Sequence, residues 1–143
     1  MIPTLYAPGA TTFTTNGRGR LSDAISCYVE ENRNGSYELE MVYPVEGIHF
    51  SDITHSCIIT AKPADGKDKQ PFRIYRISSP IDGKVTINAE HISYQLTHIP
   101  VNPIETEQTA CAQALQALKT NAAEPCPFTF WTDKTSQGSF YIS

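Results

Sequence analysis

Two alternating runs, AISCYVEE (residues 24–31) and SYELEMVY (residues 36–43), flank the tetrapeptide NRNG at residues 32–35. Asn34-Gly35 between such runs is the strongest short-range signal for a β-hairpin, because both residues tolerate the positive φ angles of a tight turn. In the second run Glu38 and Glu40 alternate with apolar and aromatic residues, namely Tyr37, Leu39, Met41 and Tyr43. The alternation predicts an antiparallel hairpin with one buried face and one face in solvent.

Other runs with strand composition surround this hairpin. Asp82-Gly83 lies between PFRIYRIS (residues 71–78) and VTINA (residues 85–89), and residues 93–96 could extend the second of these runs. Asp65-Gly66 follows the run SCIITA at residues 56–61. In PFRIYRIS, strict alternation puts Phe72, Ile74 and Arg76 on one face. The predicted strands nearer the N-terminus are residues 2–6 and TTFTT (residues 11–15), and residues 18–21 form either another short strand or part of a loop. The fold class expected is mainly β (α+β), with antiparallel sheet or barrel modules and one helix.

The sequence changes character after Pro100 and Pro103. TEQTACAQALQALK (residues 106–119) carries alanines and leucines at helical spacing and predicts the helix. FTFWT (residues 128–132) and SFYIS (residues 139–143) predict a strand pair. We therefore expect a β-rich domain over residues 1–100 and the start of a second α+β module over residues 101–143. That module is expected to be truncated, because the chain stops inside an apolar run.

Composition excludes several classes of protein. The formal net charge is -4, and the eleven Lys and Arg are scattered rather than clustered in a basic stripe, so no specific nucleic-acid binding is expected. No apolar run is long enough for a membrane span, and the N-terminus does not resemble a signal peptide. In a reducing compartment the widely spaced Cys27, Cys57, Cys111 and Cys126 are expected to be free and mostly buried thiols.

Residue types that support catalysis or metal binding do not occur in a recognisable pattern. The histidines are His49, His55, His91 and His98. No Gly-x-Ser-x-Gly turn and no Cys-x(2–4)-Cys pair is present, and His55-x-Cys57 is the nearest approach to a ligand pair. We therefore expect no catalytic residue, no cofactor-binding residue and no metal ligand.

Three weaker patterns leave other readings open. Glu30-Glu31 and the Glu38/Glu40 pair could act as paired carboxylates, although a solvated face or a subunit contact explains them more simply. NGRGR (residues 16–20) could form a phosphate nest, although a tight turn with exposed arginines is the simpler reading. Exposed aromatic residues could bind sugars, with Trp131, Tyr75 and Tyr94 as candidates. A cell-wall endopeptidase or hydrolase, or a host-glycan-binding module, is accordingly the alternative function.

Read as strings, several segments match a known family in order. Residues 11–53 resemble the opening of phage minor structural proteins of the prophage tail endopeptidase (Tal-like) family, with its "T-N-G-x-G-x-L" turn and "E-x-x-N-G-x-Y-E-L-E-x-x-Y-P" hairpin. PFRIY (residues 71–75) resembles the "Q-x-F-R-I-Y" strand of that family. AEHISY (residues 89–94) resembles "A-x-H-I-S-Y-D-L", with Gln95 where Asp is common, and FTFWTD (residues 128–133) resembles "F-T-F-x-T-D".

The resemblance implies a structural role in a virion tail, assembled in the cytoplasm of a bacterial host. Such proteins form the baseplate hub: three copies close the tail tube and dock the distal tail and tail-tube proteins, while C-terminal domains carry lysin or host-interaction functions. It implies no catalytic residue within residues 1–143. A net negative charge would also suit a channel through which DNA slides without sticking.

Overall fold

A computed structural model describes residues 1–143, which form two compact units, Met1–Ile92 and Ser93–Ser143. The expected class, mainly β with an α+β character, is confirmed. The units divide between Ile92 and Ser93, ahead of the domain boundary that the prolines indicated after residue 100. No helix is both long enough and apolar enough to cross a lipid bilayer.

Unit 1 is built on one antiparallel sheet that curls into a half-barrel. Its strands are β1 (Thr4–Tyr6), β2 (Gly19–Arg20), β3 (Ser26–Glu31), β4 (Tyr37–Pro44), β5 (Ile58–Ala61), β6 (Gln70–Ile77) and β7 (Lys84–His91). The order across the sheet is β2-β1-β5-β6-β7-β4-β3. β2 and β3 are therefore the two edges, and the sheet stays open because they do not pair with each other.

The three turns predicted from Asn-Gly and Asp-Gly pairs are confirmed. Asn34 joins β3 to β4 with a φ of 58°, and Gly66 lies between β5 and β6 with a φ of 76°. Asp82 and Gly83, with φ of 50° and 71°, turn β6 into β7. Each position has the left-handed backbone conformation that Gly, Asn and Asp adopt at the lowest cost.

The core lies on one face of the sheet, and the predicted alternation supplies it. Leu39, Met41 and Tyr43 of β4 are buried, as expected, and they pack beside the alternate residues of β7. The fully or almost fully buried apolar side chains of this cluster are Leu5, Leu21, Leu39, Met41, Tyr43, Ile53, Cys57, Ile59, Ala61, Phe72, Ile74, Val85, Ile87 and Ala89. Burial of such side chains contributes roughly 1.5–3 kcal/mol each for Val, Leu, Ile, Met and Phe.

A β-bulge in β6 corrects the predicted face of Arg76. Phe72 and Ile74 face the core as expected, but the register with β7 then shifts by one residue. Arg76 is consequently opposite Asn88 and exposed, whereas Ile77 is opposite Ile87 and packs against the core. An extra residue on one strand of an antiparallel pair exchanges the two faces in this way.

The TTFTT segment (residues 11–15) is not the strand that its composition predicts. It is a loop between β1 and β2, exposed except for the half-buried Phe13. The hydroxyl of Tyr6 donates hydrogen bonds to the carbonyl oxygens of Phe13 (3.0 Å) and Thr15, and the Tyr6 and Phe13 rings meet edge to face at 5.2 Å. The chain then reverses at Gly17, whose φ is 54°.

Residues 92–143 correct three further expectations. A strand, β8 (Ile104–Ala110), replaces the first part of the predicted helix, and helix α1 spans only Cys111–Thr120. The partner of β9 (Gln137–Ile142) is β8 rather than residues 128–132, which form no strand. Thr-rich alternation in residues 104–110 favours a strand over a helix, since β-branched side chains fit a pleated surface. Residues 92–98 are a 3₁₀-helix instead of an extension of β7.

A test of the tight turn is the pair of variants Gly17→Ala and Gly9→Ala. A Cβ at Gly17 would overlap the carbonyl oxygen of Leu5, and the φ of 54° is strained for alanine, whereas a Cβ at Gly9 meets nothing within 4 Å. We expect Gly17→Ala to lower the free energy of unfolding by about 1–3 kcal/mol, and Gly9→Ala to change it little. Urea denaturation of both variants measures this difference, and equal effects would contradict the described turn.

His91 couples the stability of unit 1 to pH. Its imidazole stacks on Tyr37 at 4.4 Å and meets Phe72 edge to face at 5.5 Å. Burial lowers the pKa of His91 below the ordinary 6.5, against an opposing effect of Glu31. The unfolded chain therefore binds a proton at a pH where the folded chain does not.

We expect the free energy of unfolding to fall as the pH drops from about 7.5 to about 5.5, because protonation of His91 favours the unfolded chain below its unfolded pKa. A His91→Phe variant keeps an aromatic ring in the stack and should flatten this part of the profile. The exposed His55 provides the matched control, His55→Gln. The measurement is the urea midpoint of unfolding as a function of pH between about 5.5 and 7.5. If the midpoint of His91→Phe depends on pH as steeply as that of the wild type, His91 is not the source of the pH dependence.

Candidate functional site

Three glutamates lie side by side on the outward face of unit 1. Glu30 of β3 is directly opposite Glu38 of β4, and Glu38 is directly opposite Glu90 of β7. Residues opposite one another on adjacent strands have Cβ atoms roughly 5 Å apart, where like charges destabilise the sheet. None of the three takes part in an ion pair. We call them the glutamate row.

Tyrosine hydroxyls hold the carboxylates of this face in place. Tyr75 donates to Glu38 Oε2 at 3.0 Å, and Tyr28 donates to Glu40 Oε1 at 3.0 Å. Asn88 Nδ2 adds a hydrogen bond to the other oxygen of Glu40 at 3.3 Å. The hydrogen bond to Glu40 raises the pKa of Tyr28, while burial and then the bond to Glu38 raise the pKa of Tyr75. Both hydroxyls therefore stay protonated donors at neutral pH.

Charge is divided across the strand order. Five glutamates and one lysine lie on the three strands nearest the β3 edge, which are β7, β4 and β3. The glutamates are Glu30, Glu31, Glu38, Glu40 and Glu90, and the lysine is Lys84. The strands at the β2 side carry Arg20, Arg73 and Arg76 and no acidic residue. The acidic residues are thus concentrated toward the β3 edge, whereas Arg73 and Arg76 lie on the central strand β6 and Arg20 lies on the β2 edge strand.

The edge strand β3 has backbone groups that do not bond to β4. The amide of Asn32 donates to Ser36 O at 2.8 Å, so Asn32 and Ser36 form a hydrogen-bonded pair at the end of the β3–β4 ladder. In an antiparallel ladder such pairs recur at every second residue, counted here from Asn32. The N–H and C=O groups of Cys27, Val29 and Glu31 consequently point away from β4, toward the open edge. A row of such groups is a template for another strand.

The thiol on this edge strand has a raised pKa. Cys27 is half-buried, and burial raises its pKa to about 11. At neutral pH the reactive thiolate is therefore a negligible fraction.

A second polar cluster holds the connection between β4 and β5. Arg18 Nη1 donates to the carbonyl oxygen of Asp52 at 3.1 Å and to Cys57 Sγ at 3.6 Å, and Thr54 Oγ1 lies 3.2 Å from the same sulfur. His49 Nδ1 lies 3.0 Å from Asp52 Oδ2. Although cysteine, histidine and aspartate are close in this cluster, Cys57 is completely buried and makes no hydrogen bond to His49. The cluster ties the turn at residues 16–20 to the 3₁₀-helix Phe50–Asp52.

The remaining histidines and cysteines do not come together. His55 is exposed while Cys57 is buried, so the His55-x-Cys57 pair does not form a ligand pair. His91 is in the aromatic stack, and His98 is exposed at the end of the 3₁₀-helix in unit 2. Cys111 and Cys126 are half-buried free thiols, so of the four cysteines only Cys57 is fully buried. No group of three or more His, Cys, Asp or Glu is arranged to hold a metal ion.

Two of the amides that a phosphate nest at residues 16–20 would offer are bonded within the chain. Gly17 N–H donates to Thr15 Oγ1 at 3.2 Å, and Arg18 N–H donates to Leu5 O at 2.7 Å. The simpler reading of this motif, a tight turn with exposed arginines, agrees with these contacts, since Arg18 and Arg20 are both exposed.

The three candidate sugar platforms have different surroundings. Tyr75 lies on the outward face of unit 1, where its hydroxyl is bonded to Glu38. Tyr94 is half-buried in unit 2, and Trp131 of the same unit is 84% exposed. The most exposed of these rings is therefore that of Trp131.

Unit 2 also has an open apolar cleft of about 460 Å³ between α1 and β9. Its walls include Leu115 and Leu118 of the helix and Phe140 and Ile142 of the strand. No side chain in residues 93–143 is fully buried. The helix therefore covers the β8–β9 pair only partly.

Comparison of the chain with models of protein families, with curated proteins and with solved structures found no match. The site is thus defined by its own geometry. Sequence analysis identified Glu30, Glu38 and Glu40 as members of a polar face but missed Glu90. Alternation along β7 places Glu90 outward, but only the pairing of β7 with β4 brings it beside Glu38.

A Glu38→Gln variant tests the repulsion within the glutamate row. The amide oxygen still accepts the bond from Tyr75, while the central charge of the row is removed. We expect the free energy of unfolding at low ionic strength to rise by about 0.2–1 kcal/mol. The gain should shrink in about 1 M NaCl, where screening is strong. The exposed Glu46, in the connection after β4, provides the control Glu46→Gln. A salt-independent loss of stability in Glu38→Gln would show that the row is not under electrostatic strain.

Proposed function

We propose that this chain is a structural component of a phage or prophage tail tip or baseplate hub. In this role it closes the tail tube and anchors C-terminal host-interaction or lysin domains. The ordered resemblance of residues 11–53, 71–75, 89–94 and 128–133 to tail proteins supports the proposal. Several of these segments form unit 1, including the β3–β4 hairpin with the outward glutamates.

The observation that carries the proposal is the glutamate-bearing edge strand β3, which pairs with β4 on one side and with no strand on the other. Open strand edges promote aggregation unless they are covered or protected by charge, and a ring of identical subunits covers every edge. Self-association into a trimer would cover the β3 edge of each copy with a surface of the next. Distal tail and tail-tube proteins are the further partners that this role requires.

The role is structural rather than catalytic in this proposal. Cys57 is completely buried, burial raises the pKa of Cys27 to about 11, and the His49–Asp52 pair has no nucleophile bonded to it. Each carboxylate of the Glu38/Glu40 pair accepts a hydrogen bond from a tyrosine. Zymography of the chain on bacterial cell walls tests the alternative, and clearing of the wall would favour a hydrolase.

Glycan binding is a second candidate function, favoured by the exposure of Trp131. An indole ring in solvent is a platform for the apolar face of a sugar. Binding of cell-wall glycans by the chain, lost in a Trp131→Ala variant and retained in Tyr75→Phe, would support it.

Immunogold labelling of tail particles tests the structural role directly. Particles induced from the source bacterium are labelled with antibodies raised against the chain and viewed by electron microscopy. We expect the label at the tail tip, and we expect particles from a deletion strain to lack a closed tip. Label confined to the cell wall or cytoplasm, with normal tails in the deletion strain, would refute the proposal.

A further inference from the structure

We propose that unit 2 binds a neutral saccharide at the β-bulge between β8 and β9, with the ring of Tyr141 as its stacking surface. The inference goes beyond the proposed structural role. It shares its class of ligand with the glycan-binding candidate but places the ligand at different residues. The polar and aromatic side chains of the site, which we call the bulge site, are those of Glu105, Glu107, Gln108, Ser139 and Tyr141.

The alternation of β9 directs the ring of Tyr141 into solvent. Phe140 and Ile142 border the cleft beside α1, so Tyr141 between them points to the other face of the strand pair. Tyr141 is 79% exposed. Glu105 of β8 is directly opposite Tyr141 and shares this face. The site therefore combines a carboxylate with a flat ring that has an apolar surface and a polar tip.

The β-bulge brings further polar side chains next to this ring. The register shifts by one residue between Thr106 and Thr109, so Glu107 and Gln108 together oppose the single residue Ser139. The backbone N–H of Gln108 donates to Ser139 Oγ at 3.1 Å, and the φ of Gln108 is 48°. Bulges re-aim side chains in this way and are frequent beside functional sites. A carboxylate, an amide and a hydroxyl consequently lie beside one another.

The bulge site is concave. It forms a recess of about 250 Å³. A second recess of about 420 Å³, lined also by Pro103 and Ile104, shares Glu105 and Tyr141 with the first. Small-molecule sites are recesses of roughly 300–1,000 Å³ with a few placed polar groups. The two recesses on either side of the shared residues therefore suit a short oligosaccharide better than a single small ion.

The polar side chains of the bulge site are not used within the chain. The carboxylates of Glu105 and Glu107 take part in no ion pair and accept no hydrogen bond, and the side-chain amide of Gln108 makes none. No Lys or Arg lines either recess. The site thus offers acceptors on two carboxylates and a donor on an amide to a ligand.

These groups discriminate among classes of ligand. Two carboxylates repel an anion, and a wholly apolar ligand would bury them without partners, which is costly. An organic cation has donors for the carboxylates but no acceptor for the amide of Gln108. A neutral saccharide has hydroxyls that donate and accept, and a face of C–H groups that can lie on the ring of Tyr141. It is the class that satisfies every group of the site.

Titration of the isotope-labelled full chain tests the class of ligand. The probes are the neutral trisaccharides maltotriose, chitotriose and mannotriose, the anionic trigalacturonic acid and the cationic spermidine. We expect at least one neutral trisaccharide to shift the amide NMR signals of the bulge site, and the two charged probes to leave them unchanged. Shifts caused by spermidine alone, shifts confined to other residues, or no shift with any trisaccharide would overturn the proposal.

Variants of the ring and of a carboxylate identify the contacts. We expect Tyr141→Ala to abolish trisaccharide binding and Tyr141→Phe, which keeps the ring, to retain it. Glu105→Gln loses a charge-assisted acceptor and should weaken binding by about tenfold. The exposed Glu124, which follows α1, provides the matched control Glu124→Gln, with the affinity of the wild type. The same affinity in all four variants would refute the assignment of the site.

The Gln108→Gly variant separates binding from folding. Glycine adopts a φ of 48° without steric cost, so the melting temperature should be kept or raised. Loss of the side-chain amide should nevertheless weaken trisaccharide binding by about tenfold. A folded Gln108→Gly chain with undiminished affinity would contradict the bulge site.

A Trp131→Ala variant distinguishes the bulge site from the exposed indole of the glycan-binding candidate. We expect it to bind the trisaccharide like the wild type, whereas loss in Trp131→Ala with retention in Tyr141→Ala would overturn this inference. Trisaccharide binding by a chain that is absent from the tail tip would refute the proposed function and leave this inference standing. Label at the tail tip without trisaccharide binding would do the reverse.

Discussion

Burial of alternate side chains along β4 sets the register on which the rest of unit 1 depends. Leu39, Met41 and Tyr43 are almost completely removed from water between β3 and β7. A slip by one residue would turn these side chains outward and bring Glu38 and Glu40 into the core. Each apolar side chain contributes roughly 1.5–3 kcal/mol on burial, which exceeds the roughly 0.2–1 kcal/mol of a cross-strand charge pair. The core therefore decides the register, and the glutamate row is its consequence on the opposite face.

The same register places the outward glutamates beside the β3 edge. Glutamates at an edge strand repel a second acidic edge and so protect against indiscriminate pairing. Tyr28 and Tyr75 hold two of the carboxylates, so the charges keep a defined position without being neutralised. A row of like charges of this kind costs some stability in the isolated chain.

The two units differ in how completely they bury their apolar residues. Unit 1 encloses a continuous cluster, whereas in unit 2 Leu115, Phe140 and their neighbours border an open cleft. In unit 2 the preferences of residues 106–110 for helix and for strand are also more nearly equal. The sequence of residues 106–110 has helical spacing toward α1, yet pairing with β9 and the bulge near Gln108 place it in a strand. Cross-strand bonds over residues 137–142 outweigh a helix propensity that is small for threonine.

By itself the sequence determined the local features: the class of fold, the turns at Asn34-Gly35, Asp65-Gly66 and Asp82-Gly83, and the buried face of β4. These depend on φ preferences and on a two-residue period, which neighbouring residues already express. Only the tertiary structure decided the strand order, the bulge before Arg76, the loop state of the TTFTT segment and the position of Glu90 beside Glu38. Each of these depends on which distant strands pair, because a strand propensity is satisfied only where another chain segment supplies the hydrogen bonds.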